Sequence, residues 1–154
     1  MLAHLVRSLS RMQPSLTDLG LLVLRIAFGG MLAGHGFGKL QDFSKMADSF
    51  PDPLGIGHRM SLIGAVSGEF FCCLLVMLGL ATRLGAIGAA FTMGVAAFIV
   101  HGGDPFAKKE MALLYFAAFF ALILLGPGRI SVDEVIAKKL RHSAVPVTPK
   151  NRPA

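Results

Sequence analysis

Four stretches of nearly unbroken apolar side chains, roughly residues 19–38, 60–80, 84–101 and 110–126, constrain this chain more than any other feature. A helix of about 20 such residues covers the roughly 30 Å of a bilayer's hydrocarbon core. Backbone polar groups in lipid must be satisfied within their own segment, so each run reads as a helix. Charged residues make up 16% of the 154 and fall between the runs, as the cost of an unpaired charge in hydrocarbon demands. With 54% hydrophobic residues and a mean hydropathy of +0.65, the chain is too apolar for an ordinary soluble domain. The expected fold class is all-α: an integral membrane four-helix bundle forming one domain.

Ala81, Thr82 and Arg83 alone separate the second and third runs, a link short enough to force an antiparallel hairpin. Leu2, Leu5, Val6 and Leu9 recur at helical spacing among Arg7 and Arg11, which predicts a short basic helix on the membrane surface before Thr17 or Asp18 caps the first span. In the first loop, Phe43, Met46, Ala47 and Phe50 predict a second surface helix, capping the bundle mouth and stopped by Pro51 and Pro53. Asp104 is expected to cap the fourth helix, with Pro105 in its first turn. Gly126, Pro127 and Gly128 end that helix, and Ser131 with Glu134 forms a capping-box pair for a third amphipathic helix that carries Val132, Val135, Ile136 and Leu140. Its Lys138, Lys139 and Arg141 are placed to meet lipid headgroups. The segment 129–154 thus reads as a basic surface helix followed, from about His142, by a disordered Pro-rich tail.

The formal charge of +6 suits nucleic acid or anionic lipid, and the apolar runs decide for lipid, with no nucleic acid as partner. The N-terminus, second loop and C-terminus hold nine Lys and Arg; the first and third loops hold five, offset by Asp42, Asp48, Asp52, Asp104 and Glu110. That asymmetry places both termini on the cytoplasmic side of a cell inner membrane. The first run is too long for a signal-peptide core, so it is expected to remain as a span. Adjacent Cys72 and Cys73 match neither a zinc spacing nor a redox pair and read as packing residues.

Gly30, Gly34 and Gly38 form a small-residue stripe of the kind that lets helix backbones approach, as do Gly64, Gly68 and Cys72, then Ala86, Ala90 and Gly94. On a helix turning about 100° per residue, Arg25, His35 and Lys39 fall within roughly 80° of one another and opposite the Gly30 stripe. Two protein-facing sides predict a central position for the first helix. Glu69, in the second helix, is expected to pair with Arg25, either as a structural bridge or as a proton or substrate site. His35 and His101 lie near the outer helix ends, either simply solvated or placed to serve a quinone, proton or metal. The candidate polar pocket is therefore Arg25, His35, Lys39, Glu69 and His101. No metal-ligand cluster, nucleotide loop, haem attachment motif or nucleophile elbow occurs, so covalent catalysis has no support.

Three blocks stand out in order along the chain: Leu24-Arg25-Ile26-Ala27-Phe28-Gly29 with His35-Gly36 and Gly38-Lys39-Leu40; Gly68-Glu69 with Leu78-Gly79-Leu80-Ala81-Thr82-Arg83; and Gly126 to Asp133. Together they resemble the DoxX family of small bacterial membrane proteins, a resemblance that spans about residues 19–134. It implies a four-helix inner-membrane protein and, in parts of the family, a link to quinone-reducing oxidoreductases or to enzymes of oxidative stress. The expectation is a membrane subunit of a redox system whose pocket takes a quinone as its one implied cofactor. Any catalysis would belong to a larger oxidoreductase, with other redox-complex subunits as partners. The alternative is a non-catalytic scaffold or a small-solute permeability protein, in which the same polar cluster holds the helices together.

Overall fold

The computed structural model describes the backbone of residues 2–143 and the side chains of 16–142, and all of its regular structure is helical. The basic tail beyond lies outside the described residues. Helix α1 is Leu2–Gln41, α2 Phe43–Met46, α3 His58–Leu78, α4 Thr82–Val100, α5 Phe106–Leu125 and α6 Val132–Ser143. Three of these are long and apolar enough to cross a membrane: Leu16–Gln41 of α1, α3 and α4. In α5, Lys108 and Lys109 lie in the first turn and Glu110 directly after it, so its apolar part is shorter than the others. Large side chains such as Val23, Phe91, Leu114 and Leu124 stand 57–64% exposed on the outer surface, an arrangement stable in hydrocarbon and not in water.

Two local expectations change. The separate N-terminal surface helix is absent as a distinct element, since the backbone is helical without a break from Leu2 to Gln41. Asp18 does not cap a span there, because its carboxylate accepts the Arg129 N–H at 2.7 Å. The α3–α4 link is Gly79 to Ala81 and not Ala81 to Arg83. Gly79 supplies the left-handed turn (φ +70°), and the Leu80 N–H closes it on the Leu75 carbonyl.

α4 packs between α3 and α5, while α1 lies against α3 and more lightly against α5. α1 thus has two helical neighbours, as α4 has, and occupies a corner of the bundle and not its centre. The core joins Leu32 and Ala33 of α1, Cys73 and Val76 of α3, Ala86, Ala89 and Met93 of α4, and Phe119 and Leu122 of α5. A smaller cluster of Ala47, Leu62 and Val66 seats the first loop on α3. That loop is also tied by Asp52, whose carboxylate accepts from the Ser61 hydroxyl at 2.7 Å and from the Gly57 and Ile56 N–H groups, which holds its pKa below the ordinary value. At the end of the third loop the helix begins at Phe106, with Pro105 in the N-cap position one residue later than expected.

Candidate functional site

The site grows from a close crossing of helices. Gly36 of α1 lies against the backbone of Glu69 and Phe70: a Cβ there would sit 2.7 Å from the Glu69 carbonyl carbon. Gly68, the next residue back on α3, lies closer still to the Thr92 side chain of α4. Glycine on both sides thus lets α1 and α4 clamp the segment that carries Glu69. This segment, Ser67–Phe71, is a turn of π-helix, and so is Ala96–Val100 on the facing α4. A π-turn inserts an extra residue into the helical register, re-aims the side chains beside it and recurs at functional sites.

Beside these turns a cleft of about 420 Å³ opens between α3, α4 and the first loop. Its walls are mainly apolar, including Leu54, Ile56, Phe91 and Val95, and its polar lining comes from Lys39, Ser61, Ser67, Glu69, Thr92 and His101. The Lys39 ammonium donates to the Glu69 carboxylate; the two side chains are 25% and 6% exposed. A paired charge of this kind is what an apolar interior tolerates. At the cleft's outer edge His101 Nδ1 lies 2.9 Å from Asp104, and that hydrogen bond holds the Asp104 pKa below its ordinary value. The arrangement is an apolar slot with one ammonium, one carboxylate, a few hydroxyls and an imidazole, suited to an amphiphile with a polar, hydrogen-bonding head.

The five expected residues divide into three groups. Lys39, Glu69 and His101 line the cleft. His35 is exposed, with its ring edge-on to Tyr115 at a centroid distance of 6.4 Å, away from the lining. Arg25 does not reach Glu69. It is 1% exposed at the opposite end of the helices, where Nη2 donates to the Ile130 carbonyl; Nε and Nη1 have no hydrogen-bond partner among the described residues. The reason is axial position: Gly36 touches Glu69, Lys39 is less than one turn away, and Arg25 is eleven residues back, about 16 Å along the axis. Ser67, Thr92 and Asp133 were not legible as site residues. Asp133 accepts from the N–H groups of Ala81 (2.7 Å) and Thr82 (2.9 Å) and from the Thr82 hydroxyl (2.8 Å), joining the C-terminal segment to the start of α4. Among the described residues no three metal-ligating side chains converge.

A family model described as DoxX matches residues 20–102, more than half of the chain and the part that contains the cleft. The third sequence block, Gly126 to Asp133, lies beyond that match. The inner membrane protein YqjF of Escherichia coli (strain K12) is 29% identical over 132 residues, covering 80% of this chain and 97% of that protein. A Haemophilus influenzae protein described as uncharacterized is 25% identical over 136 residues, covering 83% of this chain and 90% of its own length. No solved structure matches the chain.

Proposed function

The chain belongs to the DoxX family of membrane proteins, and on that premise we propose that it is the membrane subunit of a redox system whose cleft binds a quinone. The observation that carries this reading is the Lys39–Glu69 pair set in the wall of an otherwise apolar slot. A quinone ring fits between apolar walls, and the Lys39 ammonium would donate a hydrogen bond to one of its carbonyl oxygens. Reduction to the quinol takes a pair of electrons and a pair of protons. A partner redox subunit would supply the electrons, and Lys39 would pass a proton to the quinone oxygen it holds and take up another from water entering at the cleft's edge, where His101 and Asp104 stand. Arg25 belongs to the structural framework in this reading, and His35 to the outer surface.

The same reading has α5 as a fourth span, its charged first turn at the headgroups, and both termini on the cytoplasmic side of the inner membrane. A reporter fused after Ala154 or inserted at Thr82 is expected to read cytoplasmic, and one at Pro53 or Gly103 external. A periplasmic C-terminus overturns the orientation.

For the ligand, purified protein in nanodiscs is extracted for bound quinone and titrated with a short-chain quinone. Wild type is expected to retain and bind it, and Lys39→Met to bind about tenfold more weakly, as loss of one charge-assisted hydrogen bond predicts. The double variant Lys39→Met with Glu69→Gln keeps the cleft neutral and separates binding from folding. Folded protein that neither retains nor binds quinone defeats the proposal. The scaffold reading draws on the same pair, which also joins α1 to α3. It predicts that Glu69→Gln lowers thermal stability and leaves every redox readout unchanged.

A further inference from the structure

Helix α6 is fastened at its first turn, and the apolar side chains along the rest of its length stand exposed. The Asp133 N–H donates to the Gly79 carbonyl at 2.8 Å, and the Asp133 carboxylate caps the start of α4. These bonds fix the beginning of α6 at the level where α3 ends and α4 begins, which is the edge of the hydrocarbon. Beyond them, Val132, Val135, Ile136 and Leu140 are 39–66% exposed. With about 100° per residue these four occupy an arc of roughly 140°, as wide as the apolar face of a core helix, yet no neighbouring helix covers it. Lys138 and Arg141 lie on the other side, both within 4 Å of Glu134. By the same spacing Lys139 falls inside the apolar arc. From Lys138 to the end the sequence has five Lys and Arg and no acid.

We propose that α6 lies in the plane of the membrane as an anchor for anionic phospholipid, its apolar arc among the upper acyl chains and its basic side chains on the headgroup phosphates. Helix position, an exposed apolar face and the excess of basic over acidic side chains from Lys138 onward all select the same occupant. This inference is independent of what the cleft binds.

The chain contains no Trp, so Leu140→Trp introduces a single reporter on the exposed arc, with Val135→Trp as a second should the first disturb folding. The full chain is reconstituted in vesicles of phosphatidylcholine with and without phosphatidylglycerol. In the anionic vesicles, emission is expected to shift to the blue and to be quenched by lipids brominated near the headgroup. High salt or Lys138→Glu should weaken that quenching, with the docking equilibrium falling about fivefold per basic side chain lost. Water-like emission in anionic vesicles overturns the proposal, as does equal quenching in phosphatidylcholine alone. A blue shift that bromolipids do not quench also overturns it, because a second copy of the chain then covers the arc.

Discussion

Gly36→Ala should cost about 1–3 kcal/mol of stability, whereas Gly34→Ala and Gly38→Ala, two residues to either side on the same helix, should be neutral or stabilising by up to about 1 kcal/mol. A methyl group at Gly36 meets the backbone of Glu69 and Phe70 at 2.7 Å, and backbone cannot rotate out of the way as a side-chain tip can. α1 must move off α3, which pulls Lys39 from Glu69 and opens the floor of the cleft. At Gly34 and Gly38 nothing lies within 4 Å, so an alanine adds helix propensity without a clash. Thermal unfolding of the three variants in detergent, followed by circular dichroism, checks the ranking. If Gly36→Ala melts at or above the temperature of Gly34→Ala, the crossing described here is wrong. Quinone titration of the Gly36 variant should show weakened binding as well, since the clamp and the cleft share Glu69.

The second large effect belongs to Asp133. Its removal leaves the Ala81 and Thr82 N–H groups and the Thr82 hydroxyl without their acceptor at the start of α4 and strips Arg25 of its nearby negative charge. Asp133→Ala should therefore destabilise by about 2–3 kcal/mol, the sum of a lost cap and newly orphaned donors. Asp133→Asn, which keeps one acceptor, should lose less. Burial opposes ionisation of Asp133, but hydrogen bonds from Thr82 and Ala81 and the Arg25 charge outweigh it, so its pKa in the fold lies below the ordinary 3.8. A lowered carboxylate pKa contributes stability that is fully present above the unfolded value and disappears as pH falls through the folded one. The tether of α6 should thus hold above about pH 4 and loosen below it. Pepsin digestion across that range provides the measurement: release of the C-terminal helix should accelerate on acidification in wild type and depend much less on pH in Asp133→Asn. Identical acid profiles in the two proteins would remove Asp133 from the account.

These two predictions show where sequence reading reaches its limit. Along α1, glycines 30, 34 and 38 and glycines 29 and 36 are interleaved, and both sets suit close packing. Which set faces a neighbour depends on the rotation of the helix about its own axis. The structure turns Gly29 toward Met77 and Gly36 toward Glu69, leaving Gly34 and Gly38 open. In the same way, composition marked Arg25, Lys39 and Glu69 as polar groups that must find partners. Pairing them required the vertical offset between α1 and α3, a quantity no periodicity contains. The π-turns at Ser67–Phe71 and Ala96–Val100 shift the side-chain register beyond them on both walls of the cleft, and the contact of Gly68 with Thr92 depends on how α3 and α4 are rotated against each other, neither of which a strict 3.6-residue reading contains.

The sequence by itself determined the helical class, the length and apolarity of three membrane-crossing segments, the glycine stop at Gly126, and the family. All of these follow from local chemistry: solvent transfer of each side chain and the backbone preference of each residue. Only the tertiary structure decided that Lys39 and not Arg25 answers Glu69, that His35 stands outside the cleft, and that Asp133 fastens the last helix to the α3–α4 turn. Those choices depend on how helices are rotated and staggered against one another. Packing contacts from distant parts of the chain set that geometry together.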